Sequence, residues 1–338
     1  MRDATGANDW NGRGEAFVSV VTPVYNTAKY LPECIESVLA QTHRRLEYVI
    51  VDNRSTDGSG EIAEAYAKQD PRVRVVHNDE HLPMLGNWNH ALRQISAASK
   101  YCKVVHADDF LYRDCIKEMV AVAEQHPEVG IVGAYRMNES TVDLVGIPKD
   151  ASVVSGREIC RWRLLGGPYL FGSPTSLLLR ADVVRARSPF YDEVNIHADL
   201  ESCFDVLRDS DFGFVHQVLT YTRRHNESNT TFTHRMQTYR LGALWVLKKY
   251  GEAFLTEQEL RMARAKRWDR YYRFLGRQLI RGRPRKFWRY HRDALHDMGV
   301  AFSWRKVVGG ALREAATPLR RSRRPYGGAM SHGADRLR

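Results

Sequence analysis

Two adjacent carboxylates, Asp108 and Asp109, stand near the end of the stretch Tyr101–Leu111, YCKVVHADDFL. The residues before them are rich in β-formers and a fresh amphipathic segment begins only at Asp114, so the pair marks the carboxyl end of a strand. Open α/β sheets hold their ligands at that edge. With reference pKa values of about 3.9 both acids are ionised at neutral pH, and they repel a phosphate unless a hard divalent cation lies between. The pattern therefore suits a metal-bound nucleotide diphosphate. The plainer alternative is that one Asp caps the next helix, but Asp114 stands directly before the periodic run Ile116, Met119, Val120, Ala123 and is the better expected cap.

A further carboxylate, Asp199, opens the helical run 196–208, IHADLESCFDVLR, in which Leu200, Cys203, Phe204 and Leu207 share a face. Its residue type and place fit either a catalytic base or an ordinary acid at a helix start. Arg223, Arg224 and His225 follow an alternating strand, Phe212–Thr222, and taken alone they are a solvated basic loop. The small residues of GSPTSLLLR, Gly172–Arg180, lead into a strand and leave room for a ligand or form a plain loop.

The elements that position these groups alternate strictly. Buried strands are predicted at Phe17–Thr22 and Leu46–Val51, ending in PVYN and DNRSTDGSG, with further strands at Val73–Val76 and Gly130–Tyr135. Helices are predicted over 31–41, 59–68, 84–97, 114–126 and 156–165. Alternation of this kind means right-handed βαβ units and a largely parallel sheet. The loops Pro23–Asn26, Asp52–Asp57 and His106–Asp109 then share one face. No G-x-G-x-x-G follows the first strand and no G-x-x-x-x-G-K-[ST] occurs, which argues against dinucleotide folds and P-loops.

The chain has 338 residues, 43% of them apolar, and seven Trp, as in ordinary globular proteins. No window approaches the roughly 18 unbroken apolar residues of a membrane span, and the polar start lacks a secretion signal, so a cytoplasmic protein is expected. Five widely spaced cysteines fit reduced thiols. Charge is unevenly spread. Residues 1–232 hold 25 Lys+Arg against 32 Asp+Glu, whereas 233–338 hold 26 against 8. We expect a loose leader over 1–15, an α/β catalytic domain over 16–232, a basic helical extension over 233–319 and a basic tail over 320–338. Within the extension, helices are expected at 236–250, 256–280, 285–297 and 303–316. In the longest, Leu260, Trp268, Tyr271, Tyr272, Leu275 and Leu279 form the core stripe, and Arg264, Lys266, Arg267, Arg270, Arg273 and Arg277 the opposite face.

Taken together these residues resemble the family 2 glycosyltransferases of the GT-A fold, an α/β architecture with a mostly parallel mixed sheet flanked by helices. The resemblance covers about residues 17–232 and rests on VSVVTPVYN, EYVIVDNRSTDGS, LGNWNHAL, HADD, HADLE and FGFVHQVLTYTRRH, in that order. It implies that Thr22, Pro23, Tyr25, Asn26 and Asp52 hold the nucleotide base and ribose, that Asp57 organises its loop, and that Asn89 backs the nucleotide. The family's D-x-D falls on His106-Ala107-Asp108, making Asp108 the ligand of Mg²⁺ or Mn²⁺ and placing His106 where an acid is usual, at the ribose or second metal contact. Asp199 matches the general base, with Ala198 in place of the preceding Glu. His225 matches a histidine that joins the metal or the leaving phosphate, with Arg223 beside it.

The implied activity is inverting transfer of a sugar from a nucleotide-diphosphate sugar, expected to be a UDP-sugar, to an acceptor hydroxyl in cell-surface polysaccharide or glycolipid assembly. The basic face of 235–338 suits either an anionic membrane surface presenting a lipid-linked acceptor, at the inner face of the membrane, or a solvated helical cap. A nucleic-acid binder would explain the basic region but not the acidic strand ends. An inactive nucleotide-sugar-binding protein would bind without transfer. Sugar nucleotidyltransferases want a Gly-rich basic loop after the first strand, where this chain has Pro23-Val24-Tyr25-Asn26.

Overall fold

The computed structural model describes residues 14–195, 197–224, 233 and 235–316. Most of the expected leader, the whole expected tail and His225 lie outside them. The chain divides into two compact units, 1–228 and 229–338.

The first unit is built on β1 (Val18–Val24), β2 (Leu46–Asp52), β3 (Val73–His77) and β4 (Tyr101–Val104). Every residue of β1 is buried, as a β-branched strand covered on both faces must be. β1 pairs in parallel with β2 (Val18↔Leu46 through Val24↔Asp52) and with β4 (Val18↔Tyr101), so these strands end at one edge. The remaining strands are β5 (Phe110–Leu111), β6 (Val129–Asn138), β7 (Thr141–Asp143), β8 (Val153–Val154), β9 (Leu177–Arg180) and β10 (Asp211–Thr222). The sheet runs β3-β2-β1-β4-β9-β6-β10-β5, with β7 on β6 and β8 on β10. β9 is antiparallel to both neighbours, which makes the sheet mixed. Strand order reverses between β1 and β4, the place where such sheets open a crevice.

Its helices are α1 (Leu31–Leu39), α2 (Ser59–Gln69), α3 (Met84–Arg93), α4 (Cys115–Gln125), α5 (Gly156–Leu165), α6 (Ala181–Arg185) and α7 (Ala198–Val206). On α1 the buried residues Leu31, Cys34, Ile35 and Val38 follow helical spacing against the sheet, and all five cysteines are buried and free. Two local expectations are corrected. α3 ends at Arg93 rather than 97, because the Ser96 N–H is captured by Glu47 at 2.7 Å and the chain turns there. Asp114 stands at the N-cap of α4 but makes no cap bond; its carboxylate accepts the Thr42 hydroxyl at 2.7 Å.

The second unit holds α8 (Tyr239–Phe254), α9 (Glu257–Ile280), α10 (Arg285–Asp297) and α11 (Trp304–Ala315). Thr256 and Glu259 form a capping box that starts α9. α9 and α11 cross closely because both carry glycine at the contact: a Cβ on Gly276 would lie 2.2 Å from the Ala311 nitrogen, and one on Gly310 2.1 Å from the Tyr272 oxygen. Tyr271, Tyr272 and Leu275 are buried, whereas Leu279 is 37% exposed and falls outside the expected core stripe. Arg273 and Arg277 reach Glu314 on α11, so part of the expected basic face is spent on packing two helices.

His291 is fully buried, bonded through Nδ1 to the Tyr271 hydroxyl at 2.8 Å and through Nε2 to the Met236 carbonyl at 2.9 Å. Burial pushes this imidazole down to about 4. An unfolded histidine titrates near 6.5, so the native state holds fewer protons between those values. The stability this gives is full above pH 6.5 and drains as pH falls toward 4. About 3 kcal/mol is expected to be lost over that window. Urea midpoints of the full chain across it check this, and His291→Phe is expected to flatten the slope; an equal slope in that variant excludes the histidine as its source.

Candidate active site

The loops after β1 and β2 are laced to each other by short polar side chains. Asn26 takes a left-handed backbone (φ 50), and its Oδ1 accepts the Thr56 N–H at 2.9 Å while its own N–H donates to Ser55 at 3.0 Å. Asp57 accepts the Ala28 N–H at 2.9 Å and the Ser59 hydroxyl at 2.6 Å. Partial burial works against ionisation of Asp57, but the bonds from Ser59 and Ala28 outweigh it and hold the carboxyl below its usual range. Asp52 is buried, accepting the Ser55 N–H at 3.1 Å through one oxygen and facing His77 Nδ1 at 3.2 Å with the other. Thr22 is buried, its hydroxyl 2.9 Å from that of Tyr48, and Pro23 is buried beside it in β1. Tyr25 is 48% exposed and packs its ring on His81 at 4.5 Å, leaving a free aromatic face.

Asn89 faces a different partner. Its side-chain nitrogen donates to the Tyr191 carbonyl at 2.9 Å and to Glu193 at 3.0 Å, and its oxygen accepts the Tyr191 N–H at 2.9 Å. It pins the 191–193 segment.

The turn after β4 gathers the next group. The His106 N–H donates to Thr175 Oγ1 at 3.1 Å, and its ring lies against Trp88 with centroids 4.5 Å apart. The buried Nε2 of His106 has no hydrogen-bond partner. His106, Asp108 and Asp109 each offer a donor atom, all within 4.8 Å of one another. The two acids differ. Asp109 is 3% exposed and accepts the Arg223 N–H at 3.1 Å. Burial, then the charge of Asp108, pushes its carboxyl up to about 7 against the bonds from Thr175 and Arg223. Asp108 is half-buried. Arg223 is no loose basic residue: its Nε donates to the Asp108 carbonyl at 3.1 Å, its NH2 meets Glu33, and its guanidinium lies 4.9 Å from the Tyr30 ring centroid.

The loop 172–176 links this turn to Asp199. Ser173, Pro174, Tyr191, Asp199 and Cys203 line a void of about 10 Å³, the scale of one water. Asp199 Oδ1 accepts the Leu200 N–H at 2.8 Å. Burial pushes the Asp199 carboxyl above its usual range, opposed by His197, by backbone N–H groups and by Arg136. Arg136 also acts on Asp109, so one guanidinium, itself held by Asp143 at 2.7 Å, serves both acids. The segment 172–176 thus meets His106 through Thr175 and lines the void beside Asp199, and Arg136 acts on both Asp109 and Asp199. Trp88, Tyr191, Thr175, Arg136 and Lys103 were not singled out by sequence reasoning; a lone Lys inside the strand YCKVV was the one available signal for the last.

The family 2 glycosyl transferase profile matches residues 19–187, half of the chain. The chain belongs to glycosyl transferase family 2. Among curated family relatives, the glycosyltransferase GlyG of Streptococcus pneumoniae serotype 4 is 39% identical over 124 residues, 36% of this chain and 40% of GlyG. The uncharacterized glycosyltransferase EpsJ of Bacillus subtilis is 35% identical over 126 residues, 37% of this chain and 35% of EpsJ. The matched stretch therefore spans less than half of either relative. Solved structures share the fold of this family 2 chain. S. aureus TarS 1–349 in complex with UDP has a TM-score of 0.59 at 19% identity, covering 83% of this chain and 79% of that one. The mannosyltransferase PcManGT of Pyrobaculum calidifontis, in complex with GDP-Man and Mn²⁺, has a TM-score of 0.54 at 16% identity, covering 89% and 80%.

Lys103 gives the site its most direct structural test. It is fully buried, and its Nζ donates to the carbonyls of Thr175 at 2.7 Å and Leu177 at 3.0 Å. Burial lowers its pKa, but the two carbonyls give the ammonium a use. Lys103→Met removes the donor and strands both oxygens, at an expected cost of about 2–4 kcal/mol. Hydrogen exchange is expected to show the 172–177 segment opening more readily; unchanged stability and exchange would show that Lys103 holds nothing.

Proposed function

We propose that this family 2 glycosyltransferase transfers a sugar from a nucleotide-diphosphate sugar to an acceptor hydroxyl, with inversion at the anomeric carbon. The observation that carries the reading is the shared loop 172–176, which touches His106 on one side and lines the Asp199 void on the other. A donor diphosphate at the HADD turn then lies near a carboxylate able to receive a proton. Solved relatives of this fold carry UDP, UDP-GlcNAc and GDP-Man, and a UDP-sugar is the donor we favour.

In this reading Tyr25 offers its exposed ring to the base, and Asp52, with Asn26 shaping the loops, faces the ribose. Thr22, Pro23 and Asn89 act from behind, through the backbone they hold. Asp199 takes the proton of the acceptor hydroxyl as that oxygen attacks. Burial raises its affinity for the proton, which suits a general base. Its neighbour Ala198 is apolar, so the residue before it adds no carboxylate.

The donor set fits a divalent cation on two counts: nitrogen and oxygen donors converge within 4.8 Å, and the His106 Nε2 is buried without a partner. Asp108 and His106 would hold Mg²⁺ or Mn²⁺, and His225, outside the described residues, is a further candidate. Bound there, such an ion neutralises the leaving diphosphate as a Lewis acid. Arg223 fixes the turn that presents Asp108.

The second unit has its own proposed task. Arg285, Arg289 and Arg292 surround a cleft of about 310 Å³ with Trp288, Phe302 and Trp304. Trp304, Val308 and Leu312 are exposed by 53%, 46% and 66% along one side of α11. No helix among the described residues is long and apolar enough to cross a membrane. A basic rim beside exposed apolar side chains supports peripheral docking on an anionic lipid surface, at the inner face of the membrane, where a lipid-linked glycan acceptor of polysaccharide or glycolipid assembly would be presented.

Asp199→Asn is expected to lower the transfer rate by about a thousandfold while donor affinity by calorimetry stays within twofold; a wild-type rate would remove Asp199 from the mechanism. For the second unit, the full chain is expected to float with vesicles containing phosphatidylglycerol but not with neutral ones. The triple substitution Arg285→Glu, Arg289→Glu, Arg292→Glu is expected to abolish flotation, and equal flotation of both proteins rejects the docking face.

A further inference from the structure

We infer that His77 is a positioning residue for nucleotide binding: by bridging Asp52 to Glu64 it fixes the orientation in which the Asp52 carboxylate receives the ribose. The inference rests on the ribose contact proposed above for Asp52 and adds the side chain that sets it.

Three elements meet at the ring. His77 ends β3 in parallel register with Asp52, the last residue of β2. Its Nδ1 lies 3.2 Å from Asp52 Oδ2, and its Nε2 lies 2.9 Å from Glu64 Oε1 on α2. The helix comes this close to the strand ends because its residue 60 is glycine: a Cβ there would stand 3.2 Å from Asp52 Oδ2 and 3.4 Å from the His77 ring. Asp52 Oδ1 accepts the Ser55 N–H at 3.1 Å, so each oxygen has its own partner and the carboxyl plane is fixed. Each oxygen keeps a second lone pair for a hydroxyl donor.

A neutral imidazole has one N–H, so it can donate to only one of two carboxylates and turns a lone pair toward the other. The imidazolium satisfies both. Glu64 from α2 and Asp52 from β2 are the charged groups in contact with the ring among the described residues. The bond to Glu64, then that to Asp52, raises its proton affinity against the effect of burial. The His77 side chain is 50% exposed and that of Asp52 6%, so the ring is where solvent pH reaches a carboxylate that is itself shut away. The clamp is therefore complete below the ordinary histidine pKa of about 6.5 and loosens as pH rises through the raised value.

Calorimetry of the full chain with UDP-GlcNAc and Mg²⁺, from about pH 6 to about pH 8.5, reads the clamp, because a diphosphate esterified at both ends does not itself titrate there. Each variant is first shown to be folded by its melting profile. His77→Phe, which keeps a ring and loses both donors, is expected to bind about tenfold more weakly than the wild type at the low end, the gap narrowing as pH rises. His77→Asn, whose amide nitrogen stands where Nδ1 does, is expected to restore much of the low-pH affinity without the His77 component of the pH profile. Glu64→Gln removes the larger support of the imidazolium and is expected to move the fall in affinity to lower pH. Two results overturn the inference alone: binding that needs Asp52 but is unmoved in His77→Phe, or a loss in His77→Phe that is equal at every pH with no displacement of the profile in Glu64→Gln. Binding that survives Asp52→Ala unchanged overturns the ribose contact itself, and the inference with it.

Discussion

A polar group removed from water must be given a partner, and at the carboxyl edge of this sheet that requirement is what ties the loops together. Lys103 sits where a strand facing α4 would ordinarily carry an apolar residue, and its ammonium is satisfied by two carbonyls from a segment more than 70 residues further along the chain. Asp109 does the same work with opposite sign, drawing the start of the 223 loop onto the turn after β4. Each converts the burial of a polar group into a fixed position for a loop.

The first half of the fold was legible because parallel strands buried on both faces read as unbroken β-branched runs, and β1 and β2 lie within two residues of their expected ends. The helices of the second unit were legible for the complementary reason, a steady three- and four-residue spacing. What escaped was whatever depends on partners distant in sequence. The bonds of Asn89 go to Tyr191 and Glu193, about 100 residues away, which its own stretch of sequence does not announce. Arg223 looks like a solvated cation until Tyr30, Glu33 and the Asp108 carbonyl are brought around it. Asp114 has the sequence of a cap, yet Thr42 reaches its carboxylate. Gly276 and Gly310 give no sign in the sequence that they are the crossing point of two helices, since a glycine's purpose lies in the atom that approaches it.

The same logic separates residues of like type within the site. Asp52 closes β2 and Asp57 lies in the loop after it; Asp57 is held by the Ser59 and Ala28 hydrogen bonds, and Asp52 by the Ser55 N–H and His77. Asp108 and Asp109 are neighbours in sequence and opposites in environment. In the turn after β4 Asp109 is 3% exposed and accepts the Arg223 N–H, whereas Asp108 is half-buried.

Charge balance sets the order in which this site can fill. Asp109 and Asp199 are both raised by burial, with Arg136 the cation acting on each. On the proposed reading a diphosphate would add negative charge beside acids that share Arg136, which favours its entry together with a cation. The acceptor faces the reverse condition. On the same proposed reading its hydroxyl is neutral on arrival, and Asp199 would gain a proton as the new bond forms, relieving rather than adding charge beside Tyr169 and Cys203, whose own ionisation its charge opposes. A carboxylate whose burial already favours the protonated form therefore suits the proposed acceptor end.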